Sequence, residues 1–121
     1  MGIRIDKHSG IPVYLQIINQ IKKEIILGRI KEGDKLPPTR ELAKMLNINI
    51  NTVLKAYERL QFEGIIQAKH GIGYFVSKKS FINDEVLKKI KEFAHTLKKN
   101  EVDFLIAITI LEEVYRNDKI Y

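Results

Sequence analysis

Apolar side chains recur at helical spacing in three stretches of the first half of the chain. In the first stretch they are Tyr14, Ile17, Ile18, Ile21 and Ile25. Positions three, four and seven apart share one face of an α-helix, so we predict a helix over residues 14–25 that stops at Gly28. The same spacing predicts a second helix over residues 39–46 and a third over residues 51–63.

The shorter apolar runs indicate which sides of the second and third helices are buried. The second helix is expected to bury Leu42, Met45 and Leu46. The third helix is expected to end at Gly64 and to bury four side chains, Val53, Ala56, Tyr57 and Leu60. The stretch KEGDKLPP between the first two helices contains Gly and paired Pro, which disfavour regular structure and predict a connector rich in turns.

After Gly64 the spacing becomes that of β-strands. The stretch IIQAKHGIGYFV places short β-prone runs at residues 65–68 and 74–76 around a turn with Gly71 and Gly73, which predicts a hairpin. Three helices followed by a hairpin, with only NIN between the second and third helices, is the layout of a winged helix-turn-helix. The early run IRI is a candidate third strand beside the hairpin.

The last third of the chain predicts two further helices, over residues 86–97 and 102–115. The first has one apolar stripe, formed by Val86, Ile90, Phe93, Ala94 and Leu97. The second is apolar on more than one face, which exceeds what packing within a two-helix hairpin hides. We therefore expect dimerisation through an interface that contains Phe104, Leu105, Ile108, Leu111 and Tyr115.

These elements predict a mainly α protein with a small β-hairpin wing. A winged helix-turn-helix domain occupies residues 1–79, and a two-helix antiparallel dimerisation domain occupies residues 80–121. The 121 residues are 45% hydrophobic, which suffices for a real core. The chain has no cysteine, which excludes disulfides and cysteine metal sites. It also has no apolar run of membrane-spanning length, so we expect a cytoplasmic protein without a membrane partner.

Positive charge is concentrated in the predicted winged domain. Residues 1–80 contain 14 Lys and Arg against 7 Asp and Glu, whereas residues 81–121 contain 7 against 8. A basic domain joined to a neutral tail is typical of a nucleic-acid binder with a separate interaction module.

The chain lacks the residue groupings of an enzyme. His8, His70 and His95 are dispersed, without metal-ligand spacing on one helix. The sequence has no glycine-rich phosphate loop and no motif around a nucleophile. We expect no catalytic residue, no metal and no cofactor.

Three phrases of the sequence resemble one family of proteins. IDKHSGIPVYLQI, GDKLPPTRELAKMLNININTVLKAYERLQFEGII and KHGIGYFV, in this order, are similar to the DNA-binding domain of the GntR family of bacterial transcription regulators. NTVLKAY and the short tail resemble its YtrA-like subfamily. The resemblance implies a regulator that binds a near-palindromic double-stranded DNA operator as a homodimer.

The start of the third helix is the predicted major-groove contact. A helix inserted there needs short polar side chains at its N-terminal end, and Asn49, Asn51 and Thr52 occupy that end. Asn49 also suits the role of N-cap, which is compatible with a DNA contact. Lys55, one turn beyond Asn51, is a candidate phosphate contact or an ordinary surface lysine.

The resemblance assigns further contacts by position. Arg40 matches an arginine that contacts the DNA backbone or bases, and His70 with Gly71 matches a wing tip that enters the minor groove. For His70, an exposed turn histidine without a contact remains an equal alternative. The sequence has Ile50 and Leu54 where many relatives have arginine. We therefore expect readout by Asn, Thr and methyl contacts and an A·T-rich operator.

A second departure from the family concerns the start of the second helix. Pro38 replaces the usual serine N-cap, so Thr39 is a candidate cap.

Two further expectations concern the kind of partner and the effector. The resemblance implies a repressor or an activator, of which we expect a repressor. The alternative is a winged helix that binds another protein without sequence-specific DNA binding. About 40 residues in two helices leave little room for an effector pocket within one subunit, whereas the space between two subunits could still accept a small-molecule effector.

Overall fold

A computed structural model of the protein describes residues 1–77 and 81–117. These residues form five helices and one two-stranded antiparallel sheet. In chain order they are α1 (Val13–Ile26), α2 (Thr39–Leu46), α3 (Ile50–Phe62), β1 (Ile66–Lys69), β2 (Gly73–Val76), α4 (Asp84–Lys99) and α5 (Phe104–Arg116). The architecture is the mainly α fold with a small β-hairpin wing that the sequence predicts.

The chain forms two compact units, Met1–Phe81 and Ile82–Tyr121. The domain boundary predicted between residues 79 and 80 falls within residues 78–80, outside the described part of the chain.

The first unit packs α3 against both α1 and α2 around one apolar core. The apolar spacing that predicts the helices also explains this packing, because it places one stripe of each helix toward the other two. The buried core consists of Ile17, Ile18, Ile21, Ile25, Leu36, Leu42, Ala43, Val53, Ala56, Tyr57, Leu60, Ile65, Ile66 and Val76.

Two expectations for α2 are wrong. Met45 is 64% exposed, because its position lies outside the stripe that carries Leu42 and Ala43 into the core. Thr39 is already helical, and Pro38 is the N-cap residue, without a side-chain hydrogen bond to the helix. Pro38 has φ −56° and ψ 147°, and its fixed φ suits the chain just before a helix. The helix therefore begins without the side-chain cap that the sequence predicts.

The wing pairs β1 with β2 in the register Ile66 to Val76 through Lys69 to Gly73. The segment beside β2 is formed by residues 33–36 and not by the early IRI run. Val76 donates to the Asp34 carbonyl at 2.9 Å, and Leu36 donates to the Tyr74 carbonyl at 2.9 Å. The connector that is rich in Gly and Pro thus supplies a third segment of the wing, which pairs with β2.

The N-terminal segment runs along α1 as an extended chain. Alternate amides donate to side chains spaced four apart on the helix, Gly2 to Glu24 at 2.7 Å, Arg4 to Gln20 at 3.2 Å and Asp6 to Gln16 at 2.7 Å. Two residues of extended chain advance about 6.6 Å and four residues of helix about 6 Å, so the two repeats match. Between these amides, the IRI isoleucines Ile3 and Ile5 are half-buried against the core.

Glu24 is a charged side chain inside the first unit, and only 1% of its surface is exposed. Its carboxylate accepts the Gly2 N–H at 2.7 Å and the Arg29 guanidinium at 2.9 Å, with Lys23 at 3.9 Å. Burial by itself raises the pKa of a carboxyl group, but these three partners together hold the pKa of Glu24 below its ordinary value. The carboxylate therefore stays charged and ties the N-terminal segment to the end of α1.

The second unit has capped helices but almost no buried surface. Asn83 accepts the Val86 N–H at 2.8 Å to cap α4, and Asp103 accepts the Ile106 N–H at 3.3 Å to cap α5. No residue of α4 is buried, and Ala107 is the buried residue of α5. The apolar residues that the sequence places on several faces of the last helix are thus largely exposed in the single chain.

Candidate nucleic-acid interface

The N-terminal end of α3 presents short polar side chains to solvent. Asn49 is the N-cap, and its side-chain oxygen accepts the Asn51 N–H at 2.7 Å, which confirms the predicted capping role. Asn51 is exposed and Thr52 half-buried. The first turn contains no acidic residue, so the positive end of the helix dipole is available to an anion.

The buried side of α3 and the turn before it orient the N-terminal end of the helix. The buried side is formed by four fully buried side chains, Val53, Ala56, Tyr57 and Leu60. Before the helix, Asn47 adopts a left-handed conformation with φ 54°, and the Ile48 N–H returns to the Ala43 carbonyl at 3.0 Å. Ile48 also packs half-buried against the core. The turn and the buried face together orient the start of α3 outward.

Tyr57 links α3 to both neighbouring elements of the interface. Its hydroxyl donates to the carbonyl of Pro37, just before α2, at 2.7 Å. Its ring packs edge-on against the Tyr74 ring of the wing, with the two ring centroids 4.9 Å apart. Burial raises the pKa of the Tyr57 hydroxyl, so it remains a donor throughout the physiological pH range. One core residue therefore contacts both the segment before α2 and the wing.

Arg40 is the second residue of α2 and is exposed. Arg40 lies three residues after Pro37, whose carbonyl accepts the hydrogen bond from the buried Tyr57 of α3. This bond links the backbone at the start of α2 to α3. A cation near a helix N-terminus is unfavourable by itself, because the helix dipole is positive there. Glu41 in the same first turn offsets part of that cost.

The wing tip exposes His70 and Gly71. Gly71 has φ 73°, a conformation that favours glycine, and lies within the turn that joins β1 to β2. Gly73, at the first position of β2, has φ 138°, and a Cβ built on it would lie 2.9 Å from Lys35 Cε. Because Gly73 has no side chain, the Lys35 side chain can pass close to the backbone next to the wing tip.

Lys55 takes a different position from the other candidates. Its ammonium lies over the Tyr14 ring, 4.0 Å from the centroid, on the side of α3 that faces α1. The structure therefore places Lys55 one turn away from Asn49, Asn51 and Thr52, which cluster at the helix start.

Three lysines that the sequence did not predict as DNA contacts also lie beside this interface. Lys7 donates to the Asn47 carbonyl at 2.7 Å, Lys35 crosses Gly73, and Lys69 covers the Phe75 ring at 4.5 Å. Lys7 is forty residues from its partner in sequence, so no local spacing in the chain predicts that contact.

The predicted dimer residues separate into two groups in the structure. Phe104, Ile108 and Leu111 line an open apolar groove between α4 and α5, together with Ile90, Phe93, Ala94, Leu97 and Ala107. Leu105 and Tyr115 are 69% and 86% exposed. Ile106 and Ile110, absent from the predicted set, are also more than half exposed. Residues four apart lie on the same face of a helix, so the spacing of Ile106 and Ile110 could have predicted that both belong to one apolar face of α5.

Within residues 1–77 and 81–117, no three His, Asp or Glu side chains are grouped so that they could hold a metal ion. None of the helices in this part of the chain has the length and apolar character needed to span a membrane.

Comparison with known proteins identifies the family. The sequence profile of the bacterial regulatory proteins of the gntR family matches residues 13–76. The HTH-type transcriptional repressor YtrA of Bacillus subtilis (strain 168) is 45% identical over 92 residues, which cover 74% of this chain and 71% of YtrA.

Solved structures agree with this match. YtrA from Sulfolobus acidocaldarius, a GntR-family transcription factor, is 42% identical and superposes with a TM-score of 0.60 over 78% of this chain and 97% of its own. The DNA-binding domain of AraR in complex with an operator is 26% identical, with a TM-score of 0.54 over 64% of this chain and 94% of its own. These relatives are transcription regulators and not enzymes. The chain therefore belongs to the GntR family of bacterial transcription regulators and resembles its YtrA-type members.

Proposed function

We propose that the chain is a transcriptional repressor that binds a near-palindromic operator as a homodimer. In this proposal the N-terminal end of α3 enters the major groove and the wing lies at the minor groove. The observation that carries the proposal is the start of α3, where Asn49, Asn51 and Thr52 stand on a helix end with no acidic residue in its first turn. The repressor named YtrA and the operator complex of AraR support it by similarity.

The proposed contacts differ in what they contribute. We assign Asn51 to an adenine edge, which both polar atoms of its side-chain amide would bond, a pairing that discriminates between bases. Thr52 adds a hydroxyl or methyl contact at the same end of the helix. Arg40 and Lys55 are assigned to the DNA backbone, where they strengthen binding without reading sequence. His70 and Gly71 are assigned to the minor groove.

The positions that carry arginine in many relatives support an operator rich in A·T pairs. Ile50 is half-buried against the core, whereas Leu54 is 39% exposed on the outer side of α3. Leu54 therefore offers an apolar contact of the kind that a thymine methyl group accepts. Guanine has no arginine partner at either position.

We assign the homodimer interface to the second unit. The groove residues Phe104, Ile108 and Leu111 remain 41% to 75% exposed, and Leu105 with Tyr115 extends the apolar surface. A second copy of this chain offers the same surface, as a two-fold interface requires. The proposal includes a cytoplasmic location, where operator DNA lies, and leaves any effector to the space between subunits.

Selection of DNA fragments from a random pool by the pure protein tests the proposal. We expect an inverted repeat with half-sites about one helical turn apart. Fragments without a shared sequence, or a monomer that retains no DNA but binds a protein, would favour the interaction-module alternative.

The Asn51→Ala variant tests the proposed base readout. We expect a loss of about 1–3 kcal/mol in discrimination at one base position, because the amide pair with adenine is lost. Binding of wild type and variant to the selected duplex and to its single-base variants gives the measurement. Lys55→Ala is the control, since removing a backbone contact weakens all sequences alike. Equal losses for both variants on every duplex would contradict the role of Asn51.

A further inference from the structure

A braced loop of the N-terminal segment reaches the turn between α2 and α3. The loop, residues 6–11, is closed by one side chain. Gln16 Oε1 accepts the Asp6 N–H at 2.7 Å, while Gln16 Nε2 donates to the carbonyls of Asp6 at 2.9 Å and Ile11 at 2.8 Å. Inside the loop, Asp6 Oδ1 accepts the His8 N–H at 2.9 Å. Both ends of an exposed loop are thus fixed to α1.

The loop places Lys7 beside the start of α3. Lys7 is exposed, and its Nζ donates to the carbonyl of Asn47 at 2.7 Å. Asn47 precedes Ile50, the first residue of α3, by three residues, and three residues of chain span at most about 11 Å. A fixed positive charge therefore lies next to the polar end of the helix that the proposed function places in the major groove.

We propose that Lys7 contacts a DNA phosphate that flanks the base pairs faced by α3, and that Gln16 is the positioning residue that holds its loop. This inference rests on the proposed function. An ammonium group carries three donors, and the Asn47 carbonyl takes one of them. The groove that receives a helix is bordered by phosphates, so a cation held beside the first turn meets the DNA backbone.

The same contact has a structural alternative. A lysine that donates to the last carbonyls of a helix also stabilises that helix, because the charge complements the dipole. If capping α2 were the only role of Lys7, its removal would lower the melting temperature and leave the salt dependence of DNA binding unchanged. The slope of log affinity against log salt concentration separates the two roles, because it counts the phosphates that the protein neutralises.

The experiment measures binding of the selected duplex by fluorescence anisotropy over a series of salt concentrations. Lys7→Met is expected to make the slope less steep by about 0.9 per bound protomer and to weaken selected and random duplexes by the same factor. Lys7→Arg keeps the charge and should restore the slope. Lys88→Met is the matched control, because it removes the same charge from the exposed surface of α4.

Gln16→Met tests the positioning role. It should flatten the slope as Lys7→Met does, and the double variant should lose no more than either single variant. Thermal melting monitored by circular dichroism shows whether each variant is folded at the temperature of the binding assay. A slope for Lys7→Met equal to that of wild type, with Lys88→Met also unchanged, would overturn the inference.

The outcomes for this inference and for the proposed function are distinguishable. Wild-type protein that selects no duplex would refute the proposed function itself. Wild-type binding that is sensitive to Asn51→Ala and insensitive to Lys7→Met would refute the Lys7 contact alone.

Discussion

The two units of this chain use similar fractions of apolar residues in opposite ways. The first unit buries fourteen apolar side chains in one core and pairs its buried Glu24 with Arg29. In the second unit, Ala107 is buried, and the large apolar residues of α5 remain between 41% and 75% exposed from Phe104 to Leu111. A helix can therefore be well capped and still lack the packing that makes it stable in water.

The difference indicates which unit carries the proposed dimer interface. Contiguous exposed apolar surface is uncommon on monomeric proteins and marks sites of interaction. The first unit has the features of a domain that folds by itself, whereas the second has those of half an interface. Changes in α5 should therefore alter assembly, and changes in the first unit should alter its stability.

The largest expected effect comes from charge on the exposed face of α5. The double variant Ile106→Glu/Ile110→Glu removes four isoleucines from a dimer, each worth about 1.5–3 kcal/mol when buried. We expect dimerisation to weaken by at least about 1000-fold, measured by sedimentation equilibrium. His95→Glu is the control, since it adds a carboxylate to the exposed side of α4 that lies opposite its apolar stripe. An unchanged dimer constant for the double variant would exclude this face from the interface.

A smaller effect is expected at the buried carboxylate of the first unit. Glu24→Gln should lower the free energy of unfolding by about 1.5–3 kcal/mol at pH 7, because bonds to a charged group are lost. The pKa of Glu24 is lower in the folded chain than in the unfolded chain, so its stabilising effect is complete above the unfolded pKa. That effect falls as the pH drops below the unfolded pKa, about 4.3, and is lost as the pH passes through the lower pKa of the folded chain.

Urea unfolding at pH 7 and pH 3 measures this difference. The difference in stability between wild type and Glu24→Gln should be smaller at pH 3 than at pH 7. Glu32→Gln removes an exposed carboxylate nearby in sequence and should change stability little at either pH. A constant gap between wild type and Glu24→Gln from pH 7 to pH 3 would contradict the role of the charge.

The smallest expected effect is at the cap of α3. Asn49→Ala should cost about 1 kcal/mol of stability, because the Asn51 N–H loses its partner, whereas Asn49→Ser should retain most of it. Urea unfolding of the three proteins gives the measurement. Equal losses for Ala and Ser would show that the cap contributes through the backbone and not through the side-chain oxygen.

Much of the fold could be predicted from the spacing of apolar residues. The second helix has the predicted bounds, and the first and third differ from theirs by one residue at each end. The edge of the wing and the N-terminal segment could not be predicted in this way. Residues 33–36 pair with β2 through backbone groups that are common to all residues, so their side chains carry no signal for the pairing.

The candidate site was predictable to the extent that it is local in sequence. Asn49 caps the helix it begins, and its spacing to Asn51 is visible in the chain. Lys7 and Tyr57 act through carbonyls forty and twenty residues away, at Asn47 and Pro37, which only the fold brings near. Side-chain contacts of that kind depend on tertiary packing, so no periodicity in the sequence reports them.

The repeat lengths of the N-terminal segment and of α1 are close but not equal. The extended chain advances about 0.6 Å more per pair of residues than the helix advances per four, so the mismatch grows with each added bond. The side chains of Glu24, Gln20 and Gln16 absorb this difference, since their bonds to the segment measure 2.7, 3.2 and 2.7 Å. The third bond closes the series, and the loop of residues 6–11 that carries Lys7 begins at the same residue, Asp6.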